Sequence, residues 1–319
     1  MSGSVNTRPG FGRALIQWFD SWSNLEAELD RRPLALQNAK AVDWARVIPF
    51  VVLHLSCLAV IWVGWSPTAV TVAVIGYVVR MFAITAFYHR YFSHRSFQTS
   101  RAMQFVFALL GSVAVQRGPI WWASHHRAHH RDADLPEDVH SPGQHGFWWS
   151  HIGWIVARLN FAPRVELVPD LMRFPELRFL DRFDALVPVL SVFGFYGLGA
   201  GLAALGFDTT PWQIVIWGFS LSTIVTHHVT FSINSVAHKV GSRRYATRDD
   251  SRNNWLLALL TFGEGWHNNH HRYPGAVRQG FHWWQVDPSY YALWFMSRVG
   301  LIWRLNPVPA RVKAERLRP

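Results

Sequence analysis

A single cysteine, Cys57, is all the thiol in this 319-residue chain, and it lies inside an apolar run. Disulfides within the chain, iron–sulfur clusters and thiolate zinc sites are thereby excluded. Any metal must use histidine or carboxylate. Other signatures are missing as well. No H-E-x-x-H helix offers a zinc hydrolase its general base, and there is no internal repeat. The N-terminus carries Arg8, Arg13, Asp20, Glu26 and Asp30 and lacks an apolar core flanked by a small-residue cleavage site, so no signal peptide is expected.

Apolar residues, by contrast, are in excess. Half of the chain is hydrophobic, with 18 Trp and 22 Phe, more than a soluble domain of this length needs. The net charge of +11 suits an anionic substrate, an anionic lipid surface or nucleic acid; the aromatic content and apolar runs favour the membrane, and no nucleic-acid partner is expected. A spanning helix needs about 20 mostly apolar residues. Four windows qualify: Val47 to Trp65, Thr68 to Tyr88, Leu186 to Phe207 and Trp212 to Ile233. Short connections, Ser66-Pro67 and Asp208-Thr209-Thr210-Pro211, join them as two hairpins. Neither connection holds Lys or Arg. Every Lys and Arg except Arg80 lies before the first window, between Arg90 and Arg182, or after Ile233, which places those regions and both termini in the cytoplasm by the positive-inside rule.

The expected fold is therefore an all-α integral membrane protein, four transmembrane helices in two hairpins under a cytosolic helical cap that holds a dimetal site. Its expected parts are a cytosolic N-terminal segment (1–46), a membrane domain (47–310) and a basic tail (311–319). Within the membrane domain the spans cover about 47–65, 68–88, 186–207 and 212–233, and the cap covers 89–182 and 234–310. The stretch Met103 to Val115 is too short to cross and reads as a helix in the interface or packed beneath the cap. Arg80, the one charge within a span, is either paired inside the bundle or set in a substrate tunnel.

Nine of the 17 histidines fall in three tight clusters and one Asn/His pair, each just past an apolar stretch. They are H-R-Y-F-S-H (His89, His94), H-R-A-H-H (His126, His129, His130), H-N-N-H-H (His267, His270, His271), and Asn234 with His238. The spacing i, i+3, i+4 on a helix aims three rings at one side, and neutral imidazole is the commonest side-chain metal ligand. A helix continuing from the second span carries His89 and His94 just above the bilayer, and the i, i+4 spacing puts Asn234 and His238 on one helix face, where Asn234 ligates weakly or holds a water. Nine imidazoles shared by two ions give four or five nitrogens each, more than structural zinc takes and suited to iron with an open position. One such cluster alone is more often a polar surface. Three on one side of the membrane point to a metal centre. The other histidines, His54, His125, His140, His145, His151, His227, His228 and His282, read as core, supporting or surface residues.

From about Val47 to Trp284 the chain resembles the membrane acyl-CoA desaturases of the stearoyl-CoA desaturase type. The resemblance rests on H-R-Y-F-S-H, H-R-A-H-H, N-S-V-A-H and G-E-G-W-H-N-N-H-H, in that family's order. It implies four spanning helices under a cytosolic cap with a di-iron centre (two Fe2+). The implied ligands, which carry the catalysis, are His89, His94, His126, His129, His130, His238, His267, His270 and His271, with Asn234 acting through a water. The implied reaction is O2-dependent removal of two hydrogens from an unactivated methylene pair, giving a cis double bond, Δ9, in a saturated C16 or C18 acyl thioester. No side-chain acid or base breaks such a C–H bond. The resemblance also assigns Gln116, Trp122 and Thr230 to the bend of a substrate tunnel, where cap, interfacial packing and helix back-bonding are the respective alternatives. Tyr77 and Met81, one turn apart on the second span, correspond to the closed end of that tunnel or else pack in the bundle, and Met81 there would favour C16 over C18.

In one place the chain departs from the family. Animal members carry Arg-Asp before H-R-A-H-H, to hold CoA, whereas this chain has Ser124-His125. Arg117, Arg127 and Arg131 remain as phosphate contacts, so acyl-CoA is the first expectation, with acyl carrier protein or acyl lipid behind it. No H-P-G-G haem signature is present, so two electrons come from an external donor such as ferredoxin, rubredoxin or cytochrome b5 with its reductase, drawn to a basic face. The competing readings are a hydroxylase on the same metal set and a metal transporter, which would place its ligands at mid-span.

Overall fold

Four helices are long and apolar enough to cross a membrane: Trp44–Val63, Pro67–Ser93, Leu186–Ala204 and Pro211–Ser235. The computed structural model describes residues 11–30 and 40–315. Three stretches of the sequence reading lie outside the described residues: 1–10 with Arg8, 31–39, and 316–319 of the basic tail. The protein is an all-α integral membrane protein. Among the described residues its strands are two residues long, Gln98–Thr99 paired antiparallel with Ile302–Trp303.

Three of the four spans begin with a side chain that caps unpaired backbone donors, Asp43, Ser66 or Thr210, while the third follows Ala185 without one. Ser66 precedes Pro67 and accepts from the Ala69 N–H at 3.1 Å; Thr210 precedes Pro211 and accepts from the Gln213 N–H at 3.2 Å. Such caps matter doubly in lipid, where water cannot serve the orphan groups. Pro67 is thus the first residue of the second span and not part of the turn expected from Ser66-Pro67. At this end of the bundle Gln213 joins the hairpins, accepting from Ser66 Oγ at 2.7 Å and donating to the Val63 carbonyl at 3.0 Å.

The second and fourth spans form the centre of the bundle. Half of the second and 61% of the fourth is buried, against 11% and 6% for the first and third, which therefore face lipid. Close approach of the central pair depends on Gly76, where a Cβ would stand 3.0 Å from the Gly218 carbonyl. Arg80 lies one turn further on. Its guanidinium donates to the Val113 and Gly218 carbonyls, each at 3.1 Å, and to Ser222 Oγ at 2.6 Å, and it faces the Phe195 and Phe219 rings. These partners all lie within the bundle, and Arg80 is not among the residues that line the cavity.

Past Phe82 the second span changes its winding. From Ala83 to Ser93 it is a wider helix with i→i+5 hydrogen bonds, and the His94 N–H closes on the His89 carbonyl at 3.3 Å. Such widening is rare and tends to occur at functional sites. Here it stacks residues five apart, which an α-helix would turn away from each other. This segment is buried throughout and forms one wall of the main core, with Phe87 stacked on Phe107 at 3.9 Å. The apolar stretch after it is the helix Arg101–Ser112, about 18 Å long and too short to cross about 30 Å of hydrocarbon. It packs beneath the cap as expected, with Phe107 and Ala108 buried.

That helix meets the second span at Gly111, where a Cβ would stand 1.9 Å from the ring of Tyr88, itself fully buried. Gly111→Ala must displace Tyr88 and its 3.0 Å hydrogen bond to Ser112, at a cost of about 1–3 kcal/mol. Thermal unfolding in detergent should therefore begin at a lower temperature in Gly111→Ala. Gly201→Ala, where a Cβ meets nothing within 4 Å, should match the parent protein.

Candidate metal centre

Four stretches of chain bring the nine histidines together. The widened end of the second span supplies His89, with His94 next past it. The helix Pro119–Asp132 supplies His126, His129 and His130, and the short helix His267–Arg272 supplies His267, His270 and His271. His238 differs from its expected setting. The fourth span ends at Ser235, so His238 sits in the turn beyond it and does not share a helix face with Asn234. The i, i+4 pairing fails because the Ala237 N–H reaches back five residues to the Ser232 carbonyl, which unwinds the end.

The rings sort into two groups, one of His89, His94, His126, His130 and His270 and the other of His129, His238, His267 and His271, each with its ligand nitrogens within 4.8 Å of one another. The i, i+3, i+4 clusters do not each serve one ion. On both helices the i, i+4 pair faces one group and the i+3 member, His129 or His270, crosses to the other. Each helix thus braces both centres.

In the five-ring group the Nε2 atoms form a chain of contacts: His94 to His126 at 2.7 Å, His126 to His130 at 3.0 Å, His130 to His270 at 2.8 Å and His270 to His89 at 3.0 Å. A ring nitrogen carries one proton or one lone pair, never both. Each can therefore join only one hydrogen bond, and at most half of these contacts can be hydrogen bonds. A cation at the centre satisfies all five. With a metal–nitrogen bond of about 2.1 Å, ligands at right angles stand about 3 Å apart and tetrahedral ones about 3.4 Å apart. The observed spacings, 2.7–3.0 Å, match the distance between nitrogens set at right angles. In the four-ring group His238 and His267 stand 3.0 Å apart, and the buried Nε2 atoms of His129 and His271 have no hydrogen-bond partner among the described residues. Both groups fit a metal ion.

Outward-facing nitrogens are held by residues that the sequence reading did not assign. His129 Nδ1 donates to Asp138 at 2.9 Å, His238 Nδ1 to Asp134 at 2.7 Å, His271 Nδ1 to Asp249 at 2.9 Å and His89 Nδ1 to Glu264 at 2.5 Å. Each bond fixes the proton on Nδ1 and turns the Nε2 lone pair inward. The Gln279 carboxamide lies 3.3 Å from Nδ1 of both His89 and His270. Burial pushes the carboxyls of Asp134, Asp138 and Asp249 up, but hydrogen bonds and charge from their histidines outweigh it and hold all three below the usual carboxylate range. Burial, reinforced by neighbouring rings, drives His94, His126, His130, His267 and His270 well below the ordinary imidazole value. A signal existed in the sequence: Glu264 stands within G-E-G-W-H, and Asp134 and Asp138 follow the H-R-A-H-H helix directly.

A cavity opens against both groups. His89, His126, His129 and His267 line it together with Met81, Trp122, Thr230 and Asn234. Gln116 links two of these, donating to Thr230 Oγ1 at 3.2 Å and accepting from Trp122 Nε1 at 3.3 Å. Tyr77 is not on the lining; its hydroxyl donates to the Leu260 carbonyl at 2.6 Å. The arginines expected to meet phosphate are engaged elsewhere. Arg117 pairs with Asp184 at 3.1 Å and donates to the Phe161 carbonyl, Arg127 is bidentate on Asp170, and Arg131 grips Asp132. Ser124 and His125 are buried in the cap, bonded to the Trp121 and Ala162 carbonyls.

Comparison with known proteins agrees with this geometry. The sequence profile of the family described as fatty acid desaturase matches residues 62–304. The chain is 38% identical over 283 residues to Delta-9 acyl-lipid desaturase 1 of Arabidopsis thaliana, covering 86% of this chain and 88% of that one. It is 35% identical over 271 residues to the sn-1 stearoyl-lipid 9-desaturase of Anabaena variabilis (84% and 95% covered), and 33% identical over 281 residues to the icosanoyl-CoA 5-desaturase of Limnanthes douglasii (86% and 75%).

The neutral rings set a sign for the response to acid. Unfolded, the five histidines take up protons near their ordinary value of 6.5, whereas folded they do so only well below it. Stability from these rings is then present above that value and lost as pH falls through it, because the unfolded chain binds more protons. Asp181, pushed up by burial to about 7, acts the opposite way, as do Asp184 and His129, which are also raised, but His140 and His271, lowered by burial to about 3 and about 4, add to the five. The thermal midpoint of metal-free protein should fall between about pH 7.5 and about pH 5.5. A flat profile would contradict a cluster of buried neutral rings.

Proposed function

The chain belongs to the fatty acid desaturase family, and from that premise we propose that it places a cis double bond at the Δ9 position of a saturated C16 or C18 acyl chain. The observation that carries this reading is the pair of nitrogen groups facing one cavity that Met81, Trp122 and Thr230 also line. His89, His94, His126, His130 and His270 would hold one iron. His129, His238, His267 and His271 would hold the other, with Asn234 acting through a water. When bound, two ferrous ions supply the O2 activation that an unactivated C–H bond demands.

The rest is done by the protein. Trp122 and Thr230, held in register by Gln116, present a step against which the acyl chain bends, so that one methylene pair lies beneath the rings. Met81, on the second span eight residues before His89, bounds the methyl end, and Tyr77 braces that wall through Leu260. Glu264, Asp134, Asp138 and Asp249 keep the ligating tautomers in place. The catalytic unit is residues 47–310, with the cap, both termini and the metals on the cytoplasmic side. There the basic face receives two electrons from an acidic donor such as ferredoxin, rubredoxin or cytochrome b5.

The carrier we infer is a membrane lipid in preference to CoA. Arg117 and Arg127 spend their donors on Asp184, Asp170 and backbone carbonyls, and Ser124 and His125 face inward. This leaves little of the cationic grip that three CoA phosphates require. Two of the three relatives named above are acyl-lipid enzymes, which supports the same choice.

Lipids of a host expressing the chain should gain Δ9 monounsaturated acyl groups. His126→Ala and His270→Ala should lower that product by more than about 100-fold while the protein stays in the membrane. With purified protein and an electron source, acyl lipid should turn over and acyl-CoA should not; the reverse would return CoA to first place. Met81→Ala should shift the product ratio from C16 toward C18, and an unchanged ratio would remove Met81 from the end of the cavity.

A further inference from the structure

The two histidine groups are alike in ligand chemistry and unlike in surrounding charge. In the four-ring group three of four rings rest on carboxylates: His129 on Asp138, His238 on Asp134 and His271 on Asp249. None of these carboxylates is bridged by Lys or Arg among the described residues. Asp134 is completed by Ser141 Oγ and the Asp250 N–H, Asp138 by the Asp134 and His140 N–H groups, and Asp249 by the Ser251 N–H. In the five-ring group Glu264 is the one carboxylate bonded to a ring among the described residues. Its charge is shared with Arg90 at 3.0 Å, and the same arginine also holds Asp287 at 2.9 Å. Backbone contacts do not separate the groups: Arg127, whose charge is matched by Asp170, bonds the Ser93 carbonyl beside His94, and Arg243 bonds the Asp249 carbonyl at 2.8 Å.

A divalent ion in the four-ring group therefore sits among three carboxylates that no guanidinium or ammonium group bonds directly among the described residues, whereas one in the five-ring group meets one carboxylate, Glu264, which shares a single guanidinium with Asp287. In a low-dielectric interior that difference in neighbouring charge is felt strongly. Hydrogen-bonded carboxylates also raise the basicity of the imidazoles they hold. The unpartnered Nε2 atoms of His129 and His271 show that this group is aimed at an ion and is not a closed hydrogen-bond network.

We propose that the two centres are filled and emptied in order: the group of His129, His238, His267 and His271 takes its metal first and releases it last. The inference rests on the dimetal reading above, and its failure is distinguishable from failure of that reading. Asp249 and Asp138 act as positioning residues for the tightly held ion, and Glu264 as one for the loosely held ion. The loosely held ion is ligated by five nitrogens, so retention here follows surrounding charge and not ligand count.

The test is graded removal of iron from the full-length, iron-loaded protein by a chelator. Remaining iron per chain is measured together with the Mössbauer spectrum of protein loaded with 57Fe. Release should be biphasic, one equivalent in each phase, with one spectral component vanishing first. Asp249→Asn should weaken retention of the slow equivalent by about 10–100-fold and leave the fast one unchanged, while Glu264→Gln should touch only the fast one. Simultaneous loss of both irons in the parent protein would overturn the ordering, as would an Asp249→Asn effect confined to the fast phase. If Asp249→Asn fails to accumulate, Asp138→Asn makes the same comparison, and the parent release curve decides in any case. A chain that retains no iron after loading would overturn the dimetal reading itself.

Discussion

An imidazole offers a lone pair from one nitrogen only while its proton resides on the other, and in a dry interior that proton needs an acceptor. Nearly every feature around the histidine groups follows from this requirement. Asp134, Asp138, Asp249 and Glu264 receive Nδ1 protons, and each is fixed in turn by backbone N–H groups, a serine or an arginine. Without these acceptors the rings could exchange tautomers, and the inward nitrogens would become donors facing donors. The five-ring group has more nitrogen contacts than its protons can satisfy, an arrangement that fits a positive ion at its middle.

Holding the rings is also a matter of backbone. The second span is both a membrane crossing and a wall of the site, and its passage from ordinary to wider winding at Ala83 marks the change of role. Below that point Gly76 and Arg80 lock it to the fourth span; above it, the buried segment through Ser93 packs on Phe107 and delivers His89. A charge as costly as Arg80 at this depth persists because three acceptors and two aromatic faces surround it. It acts far from the chemistry by fixing the separation of the two helices that carry the cavity lining, Met81 on one and Thr230 with Asn234 on the other.

The architecture was legible because it is written in long-range composition: four apolar windows and basic residues confined to one side need no tertiary information. The ends moved by a few residues, to Trp44, Pro67, Ala204 and Ser235, because caps and prolines decide helix starts where hydropathy does not. The nine histidines that converge were legible as well, since they stand in tight clusters just past the apolar stretches. Their partition was not. Helix periodicity says that His126, His129 and His130 share a side, yet the fold sets His129 with His238, His267 and His271 and the other two with His89, His94 and His270. Nor could spacing reveal Asp249, which meets His271 from 22 positions away in the chain. The same limit hid the fate of Arg117 and Arg127, whose partners are 67 and 43 residues distant: a free arginine and a structural one look identical until the fold supplies the carboxylate.

That last point bears on what the family's scaffold leaves open. In the function proposed above, the histidine groups, the Trp122–Gln116–Thr230 bridge and the bundle would concern only the acyl chain, and any carrier that delivers such a chain is compatible with them. Carrier choice must therefore be set outside them, by whatever charge faces the cavity mouth. In this chain the positions just before H-R-A-H-H are turned into the cap, where Ser124 bonds the Arg164 N–H and His125 the Ala162 carbonyl. They stabilise the helix that holds three ligands instead of reaching toward a head group. Binding a polyphosphate would require breaking those bonds or freeing Arg127 from Asp170, and Arg127 also secures the Phe92 and Ser93 carbonyls at the end of the widened span. The residues nearest the site are thus committed to rigidity, and a substrate already anchored in the bilayer asks the least of them.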